Sequence, residues 1–208
     1  MTTWGDGYHL LVRHEQVLDP REVPAIYPRE LEAIAVLDHD RKVWIRPMAP
    51  CDRKGLSWEI QNADNETLYL RFFSRAVRGR PEFVDTLLDL DYQERLALVA
   101  IGEGGEGAGV ARYVVTDEPD LAQLAIVVKE AWRRVGLATV LLQHIQRAAW
   151  QRNIRRMTAI YLAENAAIDG LRRSTGLPEP VVRRGLAEIS WNFTEDGEIA
   201  PESTHAEP

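Results

Sequence analysis

Leu121-Ala-Gln-Leu-Ala-Ile-Val-Val-Lys-Glu-Ala-Trp-Arg-Arg-Val-Gly-Leu-Ala-Thr139 is the stretch that decides the fold. A β-rich run ends near Val128, a short polar loop follows, and an amphipathic helix opens at Gly136 to Ala138. Small residues at a helix start leave its first amides accessible. Those N–H groups and the positive end of the helix dipole make an anion site suited to a pyrophosphate, and Arg133 and Arg134 lie just upstream. The same small residues also suit a tight strand-to-helix turn with no ligand, and the loop alone does not choose between these.

Outward from this stretch the chain changes texture. On its C-terminal side Leu137, Val140, Leu141, Ile145 and Ala148 recur at helical spacing to about Gln151. Met157–Ala163 reads as a strand, Asn165–Thr175 as a helix stopped by Gly176 and Pro178, and Gly185–Phe193 as a final strand. On its N-terminal side Arg95–Ile101 and Gly109–Val115 form a hairpin around the glycine-rich residues 103–107. Ala33–Leu37 and Val43–Pro47 form another around a polar turn. Asp52 is expected to cap a short helix to Gln61, Glu66–Ser74 to form a second, and Pro81 to open a third. The fold class is therefore a mixed α/β sheet, antiparallel in its first half with a parallel strand pair in its second. Residues 1–30, broken by Pro20, Pro24 and Pro28, read as an arm. Residues 31–194 are the folding unit, and the acidic tail 195–208 is expected to be disordered.

Composition narrows the function. The 208 residues are 45% hydrophobic and 27% charged, ordinary for a globular chain with a real core. No apolar run is long enough to span a bilayer, and the N-terminus has no basic region followed by an apolar stretch, so membrane and exported readings are set aside. A net charge of −7 is unsuited to nucleic-acid backbones. Cys51 is the single cysteine, which excludes an internal disulfide and a cysteine-based metal cluster. The five histidines have no metal-ligand spacing, so no metal is expected and a reduced cytoplasm is the expected compartment. Of 25 basic residues, only Lys42, Lys54 and Lys129 are lysines.

Arg133-x-x-Gly136-x-Ala138 resembles the Arg/Gln-x-x-Gly-x-Gly/Ala signature of the GNAT superfamily of acyl-CoA-dependent N-acetyltransferases. Here it follows a β run, opens a helix, and is succeeded by Ala163-Glu-Asn165 at the end of the next strand. Ile45-Arg-Pro-Met, Leu68-Tyr-Leu-Arg-Phe-Phe73, Asp91-Tyr-x-x-Arg95-x-Ala-Leu-Val-Ala100 and Val110-Ala-Arg-Tyr113 resemble the bacterial protein lysine acetyltransferases of the Pat type. The similarity runs from about Tyr27 to Trp191. Larger relatives carry extra domains such as a cyclic-nucleotide-binding one, for which residues 1–30 are too short.

The resemblance implies acetyl-CoA as acyl donor. Its pantetheine arm would follow the strand Leu124 to Val128, at Ile126, Val127 and Val128. Its pyrophosphate would sit on the loop Arg133, Arg134, Val135, Gly136, Leu137, Ala138 and Thr139, and Asn165 would contact the cofactor. A backbone N–H near Ile126 would polarise the thioester carbonyl. The implied acceptor is a lysine or other primary amine, on a protein such as an acyl-CoA synthetase. A lysine amine is mostly protonated at pH 7, so its proton must go somewhere. Here the sequence departs from the pattern. Gln123 stands where the Pat-type strand has Glu, and Arg172 stands where many relatives have a Tyr. Gln123 cannot act as a base; Glu118, Asp120 and Glu130 flank the strand and could substitute through water, and Tyr113 and Tyr161 read as core or sheet residues. Two readings remain: an acetyltransferase, or a catalytically weakened domain that binds acyl-CoA as a sensor or interaction module.

Overall fold

The computed structural model describes residues 2–4, 8–11, 18, 20–62 and 80–200. The strands are β1 (Thr2–Trp4), β2 (Tyr8–Leu11), β3 (Ala33–Val36), β4 (Lys42–Pro47), β5 (Arg95–Gly102), β6 (Gly107–Val115), β7 (Leu121–Val128), β8 (Arg156–Leu162), β9 (Val181–Arg183) and β10 (Leu186–Asn192). The helices are α1 (Arg53–Asn62), α2 (Pro81–Leu88), α3 (Leu137–Gln151) and α4 (Ala166–Thr175). The strands form one sheet in the order β1-β2-β3-β4-β5-β6-β7-β8-β10-β9. Neighbours are antiparallel throughout except β7 and β8, which run parallel. That is the expected mixed sheet, with its single parallel pair flanking the decisive loop.

The sheet's two faces carry different loads. Ala122 and Leu124 of β7, Ala111 and Tyr113 of β6 and Leu96 and Leu98 of β5 are buried with Leu137, Val140, Leu141, Ile145 and Ala148 of α3 in one core. The helical spacing seen in the sequence is thus the face of α3 that packs on the sheet. Tyr113 sends its hydroxyl to the Gln93 carbonyl at 2.8 Å, and burial pushes its pKa up. It is a core residue, as expected. On the opposite face α1 and α2 form a smaller apolar contact through Ile60 and Val84.

Three sequence expectations change. The N-terminal arm supplies strands: β1 pairs with β2, and β2 joins the sheet at β3 (Leu10 to Ala35, Leu11 to Ile34). Runs of three and four residues are too short to read as strands, and pairing across the sheet is what stabilises them. The tail is ordered to Ala200, where Phe193 bridges Ile199 and the Ala200 amide donates to the Asn192 carbonyl at 2.8 Å. Asp52 does not cap α1 from outside. Its carboxylate reaches back to the Ala49 amide at 2.8 Å and holds the buried Arg46 guanidinium at 2.8 and 2.5 Å. The helix expected at Glu66–Ser74 and the tail beyond Ala200 lie outside the described residues.

Candidate active site

The β7–β8 ladder is short. It pairs Leu121 with Arg156, Ala122 with Met157 and Gln123 with Thr158, and then the two strands part. The other edge of β7 stays on β6 as far as Val128, opposite Gly109. The Lys129 amide donates to Ala108 on the β6 side at 3.0 Å. Backbone groups alternate sides along a strand. The N–H and C=O of Leu124, Ile126 and Val128 therefore face the gap that β8 has vacated.

At the end of this gap the chain turns into α3. Trp132 is buried, the Arg41 guanidinium stacks over it at 3.7 Å, and Arg41 also donates to the Ala131 carbonyl at 2.7 Å. The loop is thus pinned from behind. Arg134 (φ 59°) and Gly136 (φ 84°) both adopt the left-handed region, and Gly136 is the residue that precedes the helix. The Val140 amide closes the first helical turn on the Gly136 carbonyl at 3.1 Å. The amides of Leu137, Ala138 and Thr139 stand ahead of that bond, with no partner inside the helix.

A groove of about 730 Å³ brings together Ile126, Val127, Val128, Arg133, Arg134, Gly136, Leu137, Ala138, Thr139 and Asn165. Every residue expected to hold the cofactor lines it except Val135, which is buried and gives its carbonyl to the Asp38 amide at 3.2 Å. Arg133 donates to the Val128 carbonyl at 3.3 Å, so it also fixes the loop. Asn165 caps α4, accepting the Ile168 amide at 3.4 Å. Deeper in the gap a crevice of about 80 Å³ runs between Leu124–Ile126 and Ala159–Tyr161. The Tyr161 hydroxyl and the Trp191 indole N–H on its walls are buried without a hydrogen-bond partner among the described residues. Burial pushes the Tyr161 phenol up, so it remains a donor. Free helix amides, unpaired strand groups and orphaned donors fit a long molecule with an anionic end and an amide-bearing arm.

The catalytic candidates are distributed differently. Gln123 is exposed, opposite Val114 of β6, on the face of β7 that points away from α3. Glu118 and Asp120 are not poised as bases. Arg156 grips both, at 2.5 Å to Glu118 and at 2.8 and 3.1 Å to Asp120. The hydrogen bond from Arg156 holds the Asp120 carboxyl below the usual carboxylate range. A carboxylate so neutralised accepts protons poorly. Arg172 is buried and bonded to Asp169 at 3.1 Å and Glu179 at 2.9 Å, which makes it a structural tie of α4.

A second cavity was not foreseen from the sequence. It holds about 290 Å³ on the sheet face covered by α1 and α2. Its floor is the row Val99, Val110, Val127 with Ala97 and Arg112 beside it, and its roof is Leu56, Ile60 and Leu87. Four charged residues line it: Asp52, Glu59, Arg112 and Lys129. Gly109 lines it through its backbone; a β-carbon there would point to the α3 side of the sheet, meeting the Val127 carbonyl at 2.8 Å and Leu141 at 3.1 Å. Val127 lines both this cavity and the groove. Among the described residues no group of His, Cys, Asp and Glu could hold a metal, and no helix is long and apolar enough to cross a membrane.

Comparison with known proteins agrees with this geometry. The model of the acetyltransferase (GNAT) family matches residues 59–176, more than half of the chain. Acetyltransferase PA5475 of Pseudomonas aeruginosa is 31% identical over 138 residues, covering 65% of this chain and 74% of that protein. The GNAT domain of S. lividans PAT superposes with a TM-score of 0.73 at 27% identity, covering 80% of this chain and 99% of that one. A cAMP-binding acyltransferase from Mycobacterium smegmatis shares the fold at 20% identity and a TM-score of 0.53, over 76% of this chain and 46% of that protein. The chain belongs to the GNAT family of acetyltransferases, and its sheet is that family's acyl-CoA-binding fold.

Proposed function

We propose that the protein transfers an acetyl group from acetyl-CoA to a lysine or other primary amine carried on a protein. The observation that carries this reading is the meeting of two cavities at Val127, one bordered by the start of α3 with Arg133 and Arg134, the other apolar with Glu59 on its wall. Acetyl-CoA supplies an activated acetyl thioester. The amides of Leu137 to Thr139, with Arg133 and Arg134 beside them, hold its pyrophosphate, and the gap-facing groups of Ile126 and Val128 hold the pantetheine arm. Asn165 borders the groove from α4. The Ile126 N–H donates to the thioester oxygen and favours the charge that develops there during attack. The amine attacks directly, so no enzyme nucleophile is required. Gln123, on the same sheet face as Val127, orients the amine or a water that carries the proton away. The resemblance to Pat-type enzymes favours a protein lysine as acceptor, with an acyl-CoA synthetase as the first candidate and the cytoplasm as the setting.

Two observations favour a second reading, an acyl-CoA-binding sensor with weak turnover: Gln123 stands where Pat-type relatives have a Glu, and Glu118 and Asp120 are both ion-paired to Arg156. Incubation with labelled acetyl-CoA and a host lysate separates the two. Label on protein lysines supports transfer. Tight acetyl-CoA binding with no label on any protein or on a lysine peptide supports the sensor.

A further inference from the structure

The four charged residues of the apolar cavity are not equally committed. Both oxygens of Asp52 are taken, by Arg46 and by the Ala49 amide. The Arg112 guanidinium caps the end of α2, donating to the Leu87 carbonyl at 2.5 Å and the Thr86 carbonyl at 3.3 Å. Glu59 and Lys129 have only each other among the described residues, at 2.5 Å, and their side chains are 38% and 37% exposed. Glu59 stands on α1 and Lys129 directly follows β7, so the pair spans the cavity from roof to floor.

Lys129 lines an apolar cavity and ends on a carboxylate. That is the seat an incoming lysine needs: methylenes against apolar walls and an acceptor for three N–H donors. The choice of residue is itself informative. This chain has only three lysines among 25 basic residues. An arginine here would grip Glu59 with a planar fork, whereas an ammonium is a compact point charge on a flexible stem that exchanges readily.

We propose that Glu59 is the carboxylate that recognises the ammonium group of the acceptor lysine, and that Lys129 occupies it as an internal competitor. The acceptor enters by displacing Lys129 from Glu59. Lys129 then sets how much acceptor is needed, and an acceptor without a cation gains nothing from Glu59. The proposal rests on the acetyltransferase reading for its meaning, but its test does not require turnover.

The full-length protein, with and without saturating CoA, is titrated calorimetrically with Nα-acetyl-lysine methylamide. Lys129→Met is expected to tighten probe binding about two- to fivefold, the range set by a half-exposed ion pair. Adding Glu59→Gln to Lys129→Met is expected to weaken it about tenfold, as loss of a charged hydrogen-bond partner does. Lys129→Gln serves as the second variant if the methionine destabilises the fold, and predicts the same direction. Probe affinity unchanged or weakened in the Lys129 variants, or unchanged between Lys129→Met and the double variant, overturns the proposal and leaves the pair as a tie between α1 and β7. Acetyl transfer to the same probe is measured separately. Its absence, with the affinity pattern intact, refutes the transfer reading and not the role of Glu59.

Discussion

The groove beside β7 and the cavity above it share one residue, Val127, yet they are built in opposite ways. The groove draws most of its lining from the continuous segment Ile126–Thr139, and α4 adds one face from Ala166 to Ser174. Its chemistry is that of the backbone: helix amides, a left-handed glycine, and strand groups left unpaired where β8 departs. The cavity is assembled from Met48 just past β4, α1, α2, β5, β6 and β7, and its chemistry is that of side chains. A backbone site tolerates substitution at most positions and is sensitive at one or two. A side-chain site is open to change at each wall, which is how one fold serves different acceptors while keeping one donor.

The sharpest way to break this contrast is at the glycine on which the groove depends. Gly136→Asp places a β-carbon at φ 84° and a negative charge where an anion is expected. Like charges at a contact cost several kcal/mol, so acetyl-CoA affinity should fall on the order of a hundredfold by calorimetry, while acceptor binding in the cavity stays as it was. A folded Gly136→Asp protein with wild-type affinity would move the pyrophosphate elsewhere.

The shared wall is the next place to press. Gly109→Ala forces a methyl group against the Val127 carbonyl at 2.8 Å and Leu141 at 3.1 Å. Overpacking of this kind costs about 1–3 kcal/mol, to be read as a lowered Tm. Because Val127 borders both sites, the variant should weaken acetyl-CoA and the amine together. If only one moves, the two cavities are not coupled through this strand.

Gln123→Glu tests a position on β7 outside both linings. It adds a carboxylate on the cavity face, four residues and about 13 Å along the strand from Val127. A well-placed general base contributes about 10²–10⁴-fold. At this exposed position about tenfold faster transfer near pH 7 is expected, with unchanged acetyl-CoA affinity. A flat rate would take the proton's route away from Gln123. The smallest effect belongs to Glu118→Gln. Its carboxylate is already held by Arg156 on the surface, so transfer should change by less than about twofold and stability by less than about 1 kcal/mol. A large loss of rate there would restore Glu118 as a base.

The chain by itself determined the groove. A β run, a polar loop, small residues and a helical stripe follow one another within nineteen residues from Leu121 to Thr139. Such neighbours are placed by local geometry before any tertiary contact forms. The same holds for Asn165 at the start of α4 and for the core face of α3, because periodicity encodes which side is buried. What only the tertiary structure decided is where distant side chains end. Asp52 looked like a helix cap and instead holds Arg46. Glu118 and Asp120 looked like free carboxylates, and Arg156, 38 and 36 residues away, is paired with both. Glu59 and Lys129 are separated by 70 residues, and nothing in either neighbourhood announces the other. The strands of the first thirty residues were hidden for the same reason, since a short edge strand is stabilised by the partner it meets across the sheet. Local pattern fixes backbone chemistry; the pairing of charges across a cavity is set by sheet register and helix packing, which no short window of sequence contains.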